Sequence, residues 1–121
     1  MLRELLPTRQ IEGEPRRRWF RSDRCDLIVW LRDDGAPVGF QLCYDKDFQE
    51  HALTWIRARG FSHMRVDSGA DAPGYPKGTP ILLADGAIDA HRILGLFREE
   101  SGGIPADLVQ LVSEKVADLA R

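Results

Sequence analysis

The clearest alternation of apolar and polar positions runs from Cys25 to Tyr44, CDLIVWLRDDGAPVGFQLCY. Two stretches rich in β-branched and aromatic residues flank Asp33-Asp34-Gly35-Ala36, and an Asp-Gly pair between such stretches is a strong hairpin signal. Closing the turn over Asp34-Gly35, or over Asp33 to Ala36, sets Leu31 opposite Val38, Val29 opposite Phe40, Leu27 opposite Leu42 and Cys25 opposite Tyr44. Side chains alternate at period two, so these eight residues share one face, which is expected to pack on the core. Cross-strand pairs of this kind contribute about 0.2–1 kcal/mol each, and a slip of one residue would mix the two faces. The opposite face carries Asp26, Ile28, Trp30 and Arg32 on one strand and Gly39, Gln41, Cys43 and Asp45 on the other. A solvated face should read polar, yet Trp30 and Ile28 stand among charges, with Gly39 opposite Trp30 leaving room for the indole. Three readings stay open: a locally satisfied surface aromatic, a face covered by the N-terminal arm, or a binding face.

The rest of the chain is arranged around this hairpin. Asp45 to Glu50 reads as a turn, His51 to Arg57 as a third strand and Phe61 to Asp67 as a fourth. Closing over Arg59-Gly60 places Trp55 opposite Met64 and Leu53 opposite Val66. A helix over 48–59 competes with the third strand: Asp47 and Glu50 resemble a capping box, Phe48, Ala52, Trp55 and Ile56 recur at helical spacing, and Gly60 suits a helix end. The β-forming run Thr54-Trp55-Ile56 and the pairing with the next segment favour the strand. Leu2, Leu5 and Leu6 predict one helical turn, followed by an extended arm to Pro15. RRRWFR, 16–21, is a short strand or a continuation of that arm.

Between Ser68 and Pro80 three glycines and three prolines exclude helix and central strand, and so long a loop in a compact domain is often functional. Ile81 to Ala84 is a last strand or an extended lead-in. Asp85 is expected to cap a helix from about Ala87 to Glu100 that buries Ala90, Ile93, Leu94 and Phe97. Ser101-Gly102-Gly103 stops it, and Pro105 suits the first turn of a second helix with Leu108, Val112, Val116 and Leu119 as its apolar stripe. Both helices need an apolar partner. The expected fold is therefore α+β, an antiparallel β-meander of four to five strands with two C-terminal helices packed on one face. One domain spans 1–121: the arm 1–15, the meander with its Gly/Pro-rich loop 16–84, and the helical pair 85–121.

Composition narrows the function classes. The 121 residues are 43% hydrophobic and 30% charged, with a formal charge of −2, which provides no field to draw in nucleic acid or an acidic membrane. The longest apolar run, Leu27 to Leu31, is far below the roughly 20 residues needed to span a bilayer, and MLRELLPTRQ lacks a signal core. A cytoplasmic protein is expected. Cys25 and Cys43 point to opposite faces, which argues against a disulfide, and the absence of Cys-x-x-Cys spacing argues against structural zinc. No metal or cofactor is expected.

Three consecutive arginines, Arg16 to Arg18, suggest a phosphate patch but read better as a charged edge strand that resists edge-to-edge pairing. In the assumed register His63, Arg65 and Asp67 lie beside Thr54 and Ile56, on the side of Trp30, Gln41 and Cys43. Cys43, His63 and Asp67 have the residue types of a nucleophile, a base and an orienting carboxylate, although no motif supports the set. A metal site from His51, His63 and Asp67 is disfavoured because His51 falls on the other face. In GYPKGTP, Lys77, the Thr79 hydroxyl and glycine amides suit a phosphate or carboxylate, without P-loop spacing.

The run GFQLCYDKDFQEHALTW, followed by GFSHMRVD and TPILLADG, resembles a family of small bacterial proteins of uncharacterised function over residues 12–121. The resemblance implies a single compact domain and no particular activity. Two functional expectations follow from the residues. The first is a non-enzymatic interaction domain that binds an unidentified protein, or itself as a homodimer, through an exposed face of Trp30, Ile28, Gln41 and Ile56. The alternative is a small-ligand binder or hydrolase-like enzyme with a pocket where the loop 68–80 meets the sheet, using His63, Asp67, Lys77 and Cys43.

Overall fold

Alternating apolar positions in successive segments build one antiparallel meander. The computed structural model describes residues 1–46, 49–66, 75 and 88–120. The strands are β1 (Arg3–Glu4), β2 (Arg16–Arg21), β3 (Cys25–Leu31), β4 (Pro37–Tyr44), β5 (His51–Ile56) and β6 (Gly60–Arg65), adjacent in the sheet in chain order. Helix α1 (Ala90–Glu100), a 3-10 turn and helix α2 (Ala106–Leu119) follow. The class is α+β with an antiparallel sheet, but among the described residues the sheet has six strands rather than four to five. The additional strand is β1, where Leu2, Leu5 and Leu6 predicted a helical turn. Arg3 and Glu4 pair instead with Arg21 and Phe20. Leu2 is fully buried while Leu6 is 79% exposed, so the leucines do not share a helical face.

At the hairpin, Val29–Phe40, Leu27–Leu42 and Cys25–Tyr44 pair as expected, but Leu31 faces Pro37 rather than Val38. The turn explains the change. Arg32 accepts from the Gly35 amide at 2.9 Å and donates to the Ala36 carbonyl at 2.8 Å, with Gly35 at φ 88. Asp33, Asp34 and Gly35 thus close a three-residue loop. Val38 is the extra residue of a bulge that restores the register at Gly39.

Residues 51–56 form the strand rather than the rival helix. Its pairing with β6 differs from expectation: Trp55 faces Phe61 and Leu53 faces His63, not Met64 and Val66. Arg57, Ala58 and Arg59 form the turn, with Arg59 donating to the Ile56 carbonyl at 2.9 Å. The register moves by three, an odd number, so every β6 side chain changes face.

One apolar cluster joins Leu2, Phe20, Leu27, Val29, Phe40, Leu42, Leu53 and Trp55 with Ile93 and Phe97 of α1 and Leu108, Val112 and Val116 of α2. Asp89 caps α1, its side chain accepting from the Arg92 amide at 3.1 Å. The expected cap Asp85, the start at Ala87 and the segment Ile81 to Ala84 lie outside the described residues. Pro105 immediately precedes α2. A second cluster, Ile28, Trp30 and Ile56 with Trp19, Val38 and Tyr75, occupies the other sheet face.

Candidate functional site

The outer face collects its residues from four strands. Trp19 of β2 stands beside Ile28 of β3, Trp30 beside Gly39 of β4, and Gly39 beside Ile56 of β5. The four side chains expected to form a binding patch do come together, but they are not exposed: Trp30 and Gln41 are 0% accessible, Ile28 2% and Ile56 5%. Tyr75 covers Trp30 edge-on, with ring centroids 5.2 Å apart and planes at 78°. Sequence reasoning missed this residue. Its only signal was an aromatic between Gly74 and Pro76 inside a loop too long for a simple connection.

Gly39 also has a different reason from the one expected. A Cβ there would lie 2.6 Å from both Ile56 Cδ1 and the Trp55 carbonyl oxygen, so the close approach of β5, not the indole, requires glycine. Gln41 is a structural link, donating to the Thr54 hydroxyl at 3.1 Å. The indole nitrogens of Trp19 and Trp30 are buried and have no hydrogen-bond partner among the described residues. Beside this cluster, at the hairpin tip, a cavity of about 590 Å³ is lined by Pro15, Leu31, Arg32, Asp33, Asp34, Val38 and Tyr75. That volume is within the usual range for small-molecule sites.

Of the residues considered for catalysis, Cys43 and His63 lie on opposite faces of the sheet. Cys43 lies on the outer face in a cluster with Ala52 and Val66, and burial, reinforced by the Glu50 and Asp26 carboxylates, pushes its thiol up to about 12. His63 and Arg65 lie on the opposite face, a consequence of the β6 register, with Arg65 exposed opposite His51. Asp67, Lys77 and Thr79 lie outside the described residues. His51 and His63, expected on different faces, stack with centroids 4.8 Å apart and planes within 3°. His63 Nε2 is hydrogen-bonded to the Tyr44 hydroxyl, and His51 Nδ1 donates to the Gln49 carbonyl at 2.8 Å.

The Arg92 guanidinium sits 5.7 Å from the Tyr44 ring. It binds both oxygens of Asp45, at 3.0 and 2.7 Å, and that bond holds the Asp45 carboxyl below its ordinary range. Tyr44 and His63 are each 3% accessible. They close the end of the sheet opposite the hairpin tip, far from the cavity beside Tyr75. Among the described residues no group of three or more His, Cys, Asp or Glu is placed to hold a metal ion.

Compared with protein-family models, curated proteins and solved structures, the chain matches none. No described helix is long and apolar enough to cross a membrane.

Proposed function

We propose that this chain is a small binding domain without catalytic machinery, and that it takes a small, largely apolar ligand in the cavity between Tyr75 and the hairpin tip. The observation that carries this reading is the position of Tyr75: a residue of the Gly/Pro-rich segment seated on Trp30 at the rim of a cavity of about 590 Å³. Leu31, Val38 and Pro15 offer apolar contact, while Arg32, Asp33 and Asp34 give a polar rim. The helices α1 and α2, packed together over the inner face, belong to the same reading, because they leave the outer face and the sheet edges for ligands. Kinship with the family of small bacterial proteins, and a cytoplasmic location, are part of this proposal.

Titration of a 15N-labelled sample with small aromatic fragments tests it. Binders are expected to shift the Trp30 indole N–H and the Val38 amide, and Tyr75→Ala is expected to weaken them about tenfold, a loss of about 1.4 kcal/mol. Fragments that shift only signals distant from the hairpin tip would refute the reading. Homodimerisation through Trp30, the other expectation, requires Tyr75 to leave the indole. Light scattering of Tyr75→Ala beside the parent chain decides it, since only a face freed of Tyr75 would then pair.

A further inference from the structure

Side chains from three segments close a ring around a cavity of about 480 Å³ at the end of the sheet away from the β3–β4 turn. Lys46, just past β4, reaches the β2–β3 turn, its Nζ donating to the Ser22 carbonyl at 3.1 Å and to Asp26 Oδ1 at 3.0 Å. Arg24 in that turn reaches α1, its Nη1 donating to Glu99 Oε2 at 2.7 Å and lying 3.7 Å from Glu100 Oε2. Arg92 of α1 returns to Asp45 with both Nη atoms, at 3.0 and 2.7 Å, and Asp45 is the chain neighbour of Lys46. Along α1, Arg92 and Glu99 stand about 10 Å apart at 1.5 Å per residue, which leaves an opening for a small molecule between the two ion pairs.

Gly95 and Leu96 of α1 line the cavity between those pairs. Glycine in a helix interior is unfavourable relative to alanine, because its backbone loses more freedom on folding. Neither packing nor backbone conformation asks for it here: a Cβ at Gly95 would have no atom of the described residues within 4 Å, and its φ lies outside the left-handed region. His91 and Glu99 line the same cavity one turn to either side, so the missing side chain opens the helix backbone to it. Glycine in such a place suits the close approach of a ligand. The lining carries three permanent cations, Arg24, Lys46 and Arg92, against two carboxylates, Asp45 and Glu99. Asp26, which Lys46 binds, is only 7% accessible. A guanidinium offers five N–H donors and an ammonium three; the bonds to Glu99, to Ser22 and Asp26, and to Asp45 take one from Arg24, two from Lys46 and two from Arg92. Donors remain on each cation for a further acceptor.

We propose that this cavity is a second binding site, which takes a small molecule through a phosphate or carboxylate group held by Lys46 with Arg24 and Arg92 while the rest of the ligand lies on Gly95. It shares no lining residue with the cavity beside Tyr75 and does not depend on that reading. The ion pairs fix the cations before the anion arrives, so binding adds contacts to the ring without breaking it.

The test is an NMR titration of the full chain at constant ionic strength, following the Gly95 and Leu96 amides with inorganic phosphate, and separately with phenyl phosphate and benzoate as a matched pair. Saturable shifts at both amides are expected. Lys46→Gln should weaken binding about tenfold, the effect of losing one charge-assisted hydrogen bond, with Arg98→Gln on α1 unchanged. Gly95→Leu places a side chain in the open space of the cavity and should abolish saturation while the circular dichroism stays that of the parent chain. Lys46 also holds Asp26, so Arg24→Gln at the exposed rim, with about a threefold loss, reports on the site if Lys46→Gln fails to fold. The ligand of the matched pair that saturates at the lower concentration identifies the anionic group. Shifts that do not saturate, or that saturate equally in the parent chain and in Gly95→Leu, would overturn the proposal.

Discussion

At Gly39 one missing methyl group sets how closely two central strands approach. Both Ile56 Cδ1 and the Trp55 carbonyl oxygen would lie 2.6 Å from a new Cβ, and the carbonyl belongs to the backbone of β5. Gly39→Ala is therefore expected to cost about 2 kcal/mol or more, in the range of overpacked cores, and urea denaturation measures it directly. An unchanged midpoint would mean that β4 and β5 separate freely. Cys43 makes a second prediction. Its thiol is raised from the ordinary 9.0 to about 12, so between those values the folded chain keeps a proton that the unfolded chain releases. Its contribution to stability is complete below about pH 9 and is lost as the pH rises toward 12. Denaturation midpoints at about pH 8 and about pH 10.5 should differ less in Cys43→Ala than in the parent chain; an equal difference would remove Cys43 from the account. The same burial predicts no alkylation of Cys43 near neutral pH before unfolding. That Gly39 and Cys43 stand on the outer face was legible from the alternation, whereas what presses on them was not.

The elements show where local pattern suffices. The β3–β4 pairing was readable because both strands and their turn lie within twenty residues, and the apolar pairs admit one register. The β5–β6 pairing was misread because two turn lengths were compatible with the sequence, and the three-residue turn won. The His63 side of β6 then meets Tyr44, which supplies a hydrogen-bond partner, while Met64 turns to the other face at 43% exposure. At the N-terminus three leucines at helical spacing gave way to a strand because Arg3 and Glu4 have the β2 edge to pair with. Leu2 then contacts the core, and its amide donates to the Glu100 carbonyl at 2.7 Å. Leu2→Ala is expected to cost about 2–5 kcal/mol, as for other buried leucines. Thermal denaturation showing a loss well below that would mean that β1 contributes little to the fold.

In the whole molecule two apolar clusters lie on the sheet, a large one that includes residues of α1 and α2 and a smaller one that includes Tyr75. Hydrogen exchange should be slowest in β3 and β4, the innermost strands, and faster in β1 and β6, which among the described residues are each paired on one side only. Edge amides as protected as those of β3 would show that another surface covers the edge. The candidate site was half legible. Trp30, Ile28, Gln41 and Ile56 were grouped on one face, but they are buried there, and Tyr75, which packs on Trp30, is remote in sequence and connected to them by no periodicity. The arginines of β2 were legible as a charged strand, not as the ion pairs Arg18–Glu4 and Arg21–Asp26. The sequence by itself determined the antiparallel class, the hairpin register from Cys25–Tyr44 to Trp30–Gly39 and the apolar stripes of the helices, because alternation acts between near neighbours. Only the tertiary structure decided the face of each β6 side chain and the cover over Trp30. Those depend on distances across strands, which the order of residues does not contain.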